Sequence, residues 1–208
     1  MSPRIILKLK IMCIRQEMEL MKKIISAIAA IALIIALAVC WQYGYNSFLK
    51  FAYPVKYSDI VIRYSTQFNV SPALVYAVIK NESSYNTQAK SSIGALGLMQ
   101  VTPETFEWAM SKTPEHENYT ENDLLNAEIN IKYGTMVLSI LINEFKNTET
   151  ALAAYHAGRT NVKNWLLNSD YSKDGITLSH IPFVDTRGYV PKVIAAQKMY
   201  SELYKLKE

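Results

Sequence analysis

The 208 residues of this chain suffice for one domain with its own hydrophobic core and a short appendage. The formal net charge of +4 comes from residues 1–40, which carry six basic and two acidic side chains, whereas the remainder is formally neutral. Because nucleic-acid binding requires a basic surface on the folded part, this distribution argues against a nucleic-acid partner. Both cysteines, Cys13 and Cys40, precede residue 50, so no disulfide is available to the later part of the chain.

An almost unbroken apolar run occupies residues 24–41 and is long enough to cross the hydrocarbon core of a membrane as a helix. Lys22 and Lys23 precede it, so the positive-inside rule places the N-terminus in the cytoplasm and the rest of the chain outside. The sequence therefore predicts a single-pass membrane protein with an extracytoplasmic domain. Two alternatives stay open: cleavage after residues 36–38, which would release a secreted domain, and lipidation of Cys40.

These features predict a division into four parts. Residues 1–23 form a cytoplasmic basic segment, residues 24–41 form the transmembrane segment, and residues 42–57 form an aromatic-rich stalk. Residues 58–208 form the folded domain. From Asp59 onward the pattern is helical, and long alternating apolar and polar runs are scarce, so the expected fold class is mainly α.

Helix starts are recognisable within this domain. Ser71-Pro72 and Thr102-Pro103 each place a capping hydroxyl before a proline that fits the first helical turn. Residues 120–123 resemble a capping box, with aspartate in place of glutamate. Further helices are predicted at residues 124–145, 149–155, 161–167 and 189–206, and loops at residues 83–98 and 169–186.

The helix that follows Ser71-Pro72 carries a carboxyl group at the end of an apolar stripe. Leu74, Val78 and Glu82 are four residues apart and share one helical face. Partial burial and the negative end of the helix dipole would both raise the pKa of Glu82. A carboxyl group with a raised pKa can act as a general acid near neutral pH. A solvated glutamate at a helix end would give the same local pattern, so the position alone does not decide.

Three later segments combine glycines, polar side chains and helix ends. In residues 91–105, Gly97 allows a tight turn or a close approach to a ligand, and Gln100 lies just before a helix. An apolar helix then ends in Tyr155 and His156, before a glycine that favours termination. The last segment, residues 181–193, places Asp185, Arg187 and Tyr189 at the start of the final helix.

In this order and spacing, the four segments resemble the lytic transglycosylase domain of the soluble lytic transglycosylase type, a relative of goose-type lysozyme. The resemblance covers about residues 58–205. The family's Glu-Ser, Gly-Leu-Met-Gln, Ala-Tyr-Asn-Ala-Gly and Glu-Thr-Arg-x-Tyr-Val motifs match residues 82–83, 97–100, 154–158 and 185–190. This chain departs from the family at His156, where the motif has asparagine, and at Asp185, where it has glutamate.

The resemblance implies a lysozyme-like α-helical domain that binds the glycan strands of peptidoglycan and needs no metal or other cofactor. Glu82 would protonate the glycosidic oxygen between N-acetylmuramic acid and N-acetylglucosamine, then accept a proton from the muramyl C6 hydroxyl. That hydroxyl would close on C1 and leave a 1,6-anhydro end. A hydrolytic muramidase could begin with the same Glu82, and a non-catalytic peptidoglycan-binding or scaffold module is an alternative of another class. Protein partners are not indicated.

The resemblance also implies substrate-binding roles for residues around Glu82. Tyr155 would bring its hydroxyl near Glu82, and Tyr189 would close the other side. Burial in the core is the alternative role for Tyr189 and Met99. A neutral His156 imidazole can donate and accept like an asparagine amide, whereas protonation removes its acceptor and would add a pH dependence below about 6.5. The complete expected set is Ser83, Gly97, Met99, Gln100, Tyr155, His156 and Tyr189.

Overall fold

The computed structural model describes residues 3–113 and 118–206. Contacts within the chain divide it into two compact units, Met1–Ala52 and Tyr53–Glu208. In the first unit a single helix, α1, runs over Pro3–Ala52, and none of its residues is buried. It is long and apolar enough to cross a membrane. The predicted boundaries after residues 23 and 41 both fall inside α1, and residues 1–2 and 207–208 lie outside the described part.

The second unit confirms the mainly α prediction, because its described residues form helices joined by loops, with only isolated β-bridges around Leu96. Helix α3 packs against α8, and α6 lies between α5 and α8. A short 3-10 helix, Glu121–Leu125, precedes α5. The α-helices of this unit are α2 (Ser58–Phe68), α3 (Pro72–Ser83), α4 (Pro103–Met110), α5 (Ala127–Phe145), α6 (Thr148–Ala157), α7 (Arg159–Leu166) and α8 (Val184–Tyr204).

The two predicted serine or threonine caps are confirmed. Ser71 Oγ accepts a hydrogen bond from the Leu74 amide at 3.4 Å, and Thr102 Oγ1 accepts one from the Thr105 amide at 3.2 Å. Each proline follows its cap directly and occupies the first turn. Because these signals act within one helical turn, they fix the starts of α3 and α4 without help from the rest of the fold.

Two predicted boundaries were wrong. The helix expected over residues 124–145 is interrupted, because Asn126 adopts an extended backbone and caps α5, accepting hydrogen bonds from the amides of Glu128 and Ile129. The final helix begins at Val184, five residues before the expected start at residue 189. Arg187 stabilises this earlier start, since its guanidinium donates to the carbonyls of residues 181 and 182 just before the helix.

Tyrosine hydroxyl groups tie the entry of the second unit to its core. Tyr85 and Tyr200 both donate to the carbonyl oxygen of Pro54, at 2.5 and 3.2 Å, and Tyr204 donates to the carbonyl oxygen of Tyr53 at 2.7 Å. Residues 53 and 54, which the sequence assigned to the stalk, are thus packed against α8. These bonds give the chain a defined entry into α2.

Candidate active site

Glu82 lies in the last turn of α3, a helix that is buried over its central residues Ala73–Ile79. Its side chain is only partly exposed, so a ligand can reach the carboxyl group while the surrounding protein excludes much of the solvent. Burial raises the pKa of Glu82 to about 7. The position at the end of an apolar stripe therefore has the electrostatic consequence that the sequence pattern suggested.

Two buried tyrosines lie within electrostatic reach of Glu82. The Tyr189 side chain partly opposes the effect of burial and lowers the pKa of Glu82. Its hydroxyl group is buried and lies near this carboxyl group without reaching hydrogen-bonding geometry to any described residue. Burial, followed by the charge of Glu82, raises the pKa of Tyr155 well above its ordinary value. Burial likewise raises the pKa of Tyr189, so both phenols stay protonated, and the hydroxyl of Tyr189 is available as a hydrogen-bond donor beside the carboxyl group.

The loop that carries Gly97, Met99 and Gln100 is held from α3. Ser83 Oγ donates to the carbonyl oxygen of Leu98 at 2.7 Å and is also within 3.2 Å of the carbonyl oxygen of Ile79, one turn earlier in α3. The residue next to Glu82 in the chain thus joins the end of α3 to this loop. Ser83 is also partly exposed, and its contact with a substrate stays a prediction.

The same loop is held from α5 by Asn130, which is fully buried. Asn130 Oδ1 accepts from the Met99 amide at 2.7 Å, and its Nδ2 donates to the carbonyls of Leu96 and Leu124 at 2.9 and 2.8 Å. Gly97 has a φ of +75°, and a Cβ there would collide with the Asn130 amide and the Leu124 carbonyl. Glycine is therefore required at residue 97 for both conformation and space.

Met99 lies in the core and links the loop to Tyr155 through its backbone. Its side chain is fully buried and packs so closely on Gly134 that a Cβ at that glycine would collide with it. The carbonyl oxygen of Met99 accepts a hydrogen bond of 2.8 Å from the Tyr155 hydroxyl. The loop therefore orients this hydroxyl, which also interacts electrostatically with Glu82. A ligand contact by the Met99 side chain would require the loop or α5 to move.

Gln100 closes the turn. Its backbone is in the left-handed region, with a φ of +50°, and its side-chain amide donates to the carbonyls of Gly97 and Ala89 at 2.9 and 3.2 Å. These bonds leave the side-chain oxygen of Gln100 available to a ligand. The predicted binding role of Gln100 is therefore compatible with its structural one.

His156 and Tyr189 meet at a cleft of about 380 Å³ between the ends of α3, α6 and α8. The ring centroids lie 4.4 Å apart, and His156 Nδ1 is 2.9 Å from the Thr186 hydroxyl. Burial lowers the pKa of His156, and the charge of Asp185 partly opposes this effect. The imidazole is therefore neutral at neutral pH. The lining residues are Asn81, His156, Val184, Asp185, Gly188, Tyr189 and Lys192.

The acidic residues around this cleft are few. No other carboxyl group in the described part of the chain contributes to the pKa shift of Glu82, and Asp185 acts on His156 instead. Within the same residues there is also no group of three or more His, Cys, Asp or Glu side chains arranged to hold a metal ion.

Sequence reasoning missed two residues that organise the site. Asn130 falls inside the helix predicted over residues 124–145 and was not singled out, although an amide among core positions is itself a signal, because a buried amide must find partners. Thr186 was noted only as part of a motif, yet it is buried and bonded to His156. Its partner lies thirty residues away in the chain, so no local pattern reveals the contact.

The fold and this arrangement of Glu82, the glycine-containing loop, Tyr155 and Tyr189 define one class of protein. Residues 59–177, more than half of the chain, match the family model described as Transglycosylase SLT domain. The chain belongs to this family. The 70 kDa soluble lytic transglycosylase of Escherichia coli has a similar structure, with a TM-score of 0.66 and 31% identity over 75% of this chain. The expected lysozyme-like α-helical domain is thereby confirmed.

Curated relatives carry related names. The soluble lytic murein transglycosylase of Salmonella typhimurium is 35% identical over 77% of this chain. The membrane-bound lytic murein transglycosylase C of Edwardsiella ictaluri is 31% identical over 71% of this chain. This chain spans 25% and 47% of the lengths of these two proteins, and 26% of the E. coli structure. The likeness therefore concerns one domain of longer proteins.

Proposed function

We propose that this chain is a peptidoglycan lytic transglycosylase that cleaves the β-1,4 bond between N-acetylmuramic acid and N-acetylglucosamine, with Glu82 as general acid and base. The observation that carries the proposal is the partly exposed Glu82 carboxyl group, whose pKa is raised to about 7 by burial beside the phenols of Tyr155 and Tyr189. Membership of the SLT family supports the choice of substrate.

The chemistry requires one carboxyl group in two successive roles. Protonated Glu82 donates its proton to the glycosidic oxygen, and the bond from that oxygen to the muramyl C1 breaks. The resulting carboxylate then takes the proton of the muramyl C6 hydroxyl, whose oxygen forms the new bond to C1. The proton returns to Glu82, no water is consumed, and the product is a 1,6-anhydro sugar.

The absence of a second coupled carboxyl group among the described residues favours this scheme. Ordinary glycosidases use a pair of carboxyl groups, one of which activates water or forms a covalent intermediate. Here the neighbours that interact with Glu82 are the neutral phenols of Tyr155 and Tyr189, which cannot activate water as a carboxylate does. Nucleophilic attack by a substrate hydroxyl avoids that requirement.

Digestion of purified sacculi by the full-length protein in detergent tests the proposal. We expect the release of 1,6-anhydromuropeptides, identified by mass spectrometry, and a loss of more than about 10³-fold in rate for Glu82→Gln. Glu107→Gln, on the exposed side of α4, is the matched control and should keep full activity. Products with reducing muramic acid ends would favour a hydrolytic muramidase. Binding to sacculi without any release would favour a non-catalytic module.

We also propose that residues 24–41 anchor the chain in a membrane, with residues 1–23 in the cytoplasm and the domain from residue 58 outside. The length and apolarity of α1 and the membrane-bound relatives support membrane association. Protease added to intact spheroplasts should digest the domain and leave a small, protected N-terminal fragment. A soluble domain that begins after residue 38 would instead show that the apolar segment is cleaved.

A further inference from the structure

The part of α1 that precedes the membrane segment carries large apolar side chains that nothing in its own chain covers. None of the residues of α1 is buried, and the large apolar side chains between residues 5 and 21 are 44% to 63% exposed. Lipid would cover residues 24–41 under the proposed topology, whereas residues 5–21 precede the hydrocarbon core. Contiguous apolar side chains left uncovered on a helix indicate a binding partner.

The apolar side chains of α1 follow a seven-residue repeat. They recur at alternating intervals of four and three residues, without interruption, from Leu7 to Val39. This is the pattern of the a and d positions of a coiled coil, in which two helices wrap around each other. Its first five members carry the argument, because almost every residue from 24 to 41 is apolar. The members of this a/d row are Leu7, Ile11, Ile14, Met18, Met21, Ile25, Ile28, Ala32, Ile35 and Val39.

Charged side chains border the a/d row on both sides before the membrane segment. They are Lys8, Arg15 and Lys22 at the e positions and Lys10 and Glu17 at the g positions. A second apolar row, formed by Ile6, Cys13 and Leu20, lies on the far side of the two g-position charges. A lipid surface that covered both apolar rows would therefore have to cover Lys10 and Glu17 as well, whereas a second helix needs only the narrow a/d row.

Charge complementarity favours a second copy of this chain as the partner. In a parallel pair of helices, a g position faces the e position five residues further along the other helix. Glu17 thus faces Lys22 of the partner subunit, and a two-fold axis repeats this pair. Within one helix, Lys22 Nζ lies 2.9 Å from Glu19, but this ion pair is exposed and contributes little.

We propose that α1 forms a parallel homodimer through the a/d row. The row continues into the membrane segment, where helices commonly cross at an angle similar to that of a coiled coil. The inference rests on the proposed membrane insertion, which gives every copy the same direction, and it does not depend on the proposed cleavage of peptidoglycan.

Disulfide cross-linking of the full-length protein in membranes tests the pairing. Cys13 and Cys40 lie outside the a/d row and are first replaced by serine. Oxidation with copper phenanthroline should then link Met18→Cys into a covalent dimer at least about five times more efficiently than Glu19→Cys, because facing a positions lie within disulfide distance. Equal cross-linking of the two variants would overturn the dimer. Protection of Met18→Cys from a water-soluble maleimide without cross-linking would also overturn it, since the row would then lie on lipid.

Exchange of the bordering charges gives a second measure. Sedimentation equilibrium of the full-length protein in detergent should show dimerisation weakened about threefold or more in Glu17→Lys, and restored when Lys22→Glu is added. Lys10→Glu should strengthen the dimer, because Lys10 faces Arg15 of the partner subunit. A double variant as weak as Glu17→Lys alone would overturn the parallel pairing.

The protease test of membrane insertion is scored separately. A protected N-terminal fragment together with equal cross-linking at residues 18 and 19 refutes the pairing alone. Selective cross-linking at residue 18 without a protected fragment refutes the membrane insertion alone.

Discussion

The imidazole of His156 lies against the ring of Tyr189, with 4.4 Å between the centroids and an angle of 33° between the planes. The hydroxyl of Thr186 holds the other side of the imidazole through Nδ1. The phenol of Tyr189 interacts with Glu82, so Tyr189 lies between His156 and the proposed catalytic acid. Its protonation state can therefore affect the site through the position and surroundings of Tyr189.

We predict that His156 limits activity on the acidic side of the pH profile. Burial lowers its pKa, so the ring is neutral at neutral pH and gains a proton only at a pH below the ordinary range of histidine. The charged ring can no longer accept from Thr186, and its charge favours the ionised form of Glu82, which cannot donate a proton. The groups that face it from α3 and α8 are Asn81, Asp185, Thr186, Gly188, Tyr189 and Lys192.

The measurement is kcat/KM between pH 4.5 and 8.5 for the native protein and for His156→Asn. We expect the native value to fall about threefold or more toward the acidic end of this range, and the variant to stay level there. Both proteins should lose activity above pH 7, where Glu82 ionises. If kcat/KM falls equally at acidic pH in the native protein and in His156→Asn, His156 does not act in this way.

Glu82→Gln should stabilise the fold at alkaline pH. Burial raises the pKa of Glu82 from its ordinary value to about 7 in the native fold, so the native state binds more protons between these two values. The free energy of unfolding therefore falls as the pH rises through this window, by roughly 1–3 kcal/mol after allowance for partial exposure. Urea unfolding at pH 4 and pH 8 should show a gain for the variant only at pH 8, and Glu107→Gln should show none.

Ser83→Ala should lower activity more than the same change at the next residue. Ser83 Oγ donates to Leu98 in the loop, whereas Ser84 is exposed and its Oγ bonds only within α3, to the carbonyl of Lys80 at 3.3 Å. We expect Ser83→Ala to cost about 1 kcal/mol of stability and to lower kcat about tenfold, with Ser84→Ala near native. Equal kcat values for the two variants would contradict the role of the hydrogen bond between Ser83 and Leu98 in holding the loop against α3.

Asn130→Ala should destabilise the domain strongly. The change leaves the buried Met99 amide and the Leu96 and Leu124 carbonyls without partners, which costs about 2–4 kcal/mol. Asn143→Ala, on the exposed face of the same helix, is the matched control and should cost less than about 0.5 kcal/mol. Denaturant midpoints measure both, and equal midpoints would contradict the role assigned to Asn130.

Local signals explain what could be predicted about the fold. The caps at Ser71 and Thr102 act within one turn, so the starts of α3 and α4 were foreseen correctly. The start of α8 was placed too late because it is held by Arg187, whose bonds to the preceding loop form only once that loop is folded. The break at Asn126 was also missed, since an asparagine in a helical pattern is compatible with either an interior or a capping position.

The sequence by itself determined that a carboxyl group, Glu82, ends an apolar helical stripe, and that a tight glycine turn follows it, because helical periodicity and glycine conformation are local properties. Only the tertiary structure decided how that carboxyl group is surrounded. Its pKa of about 7 depends on burial and on Tyr189, which lies more than one hundred residues further along the chain. Desolvation and contacts between distant helices arise from packing, and no local pattern encodes them.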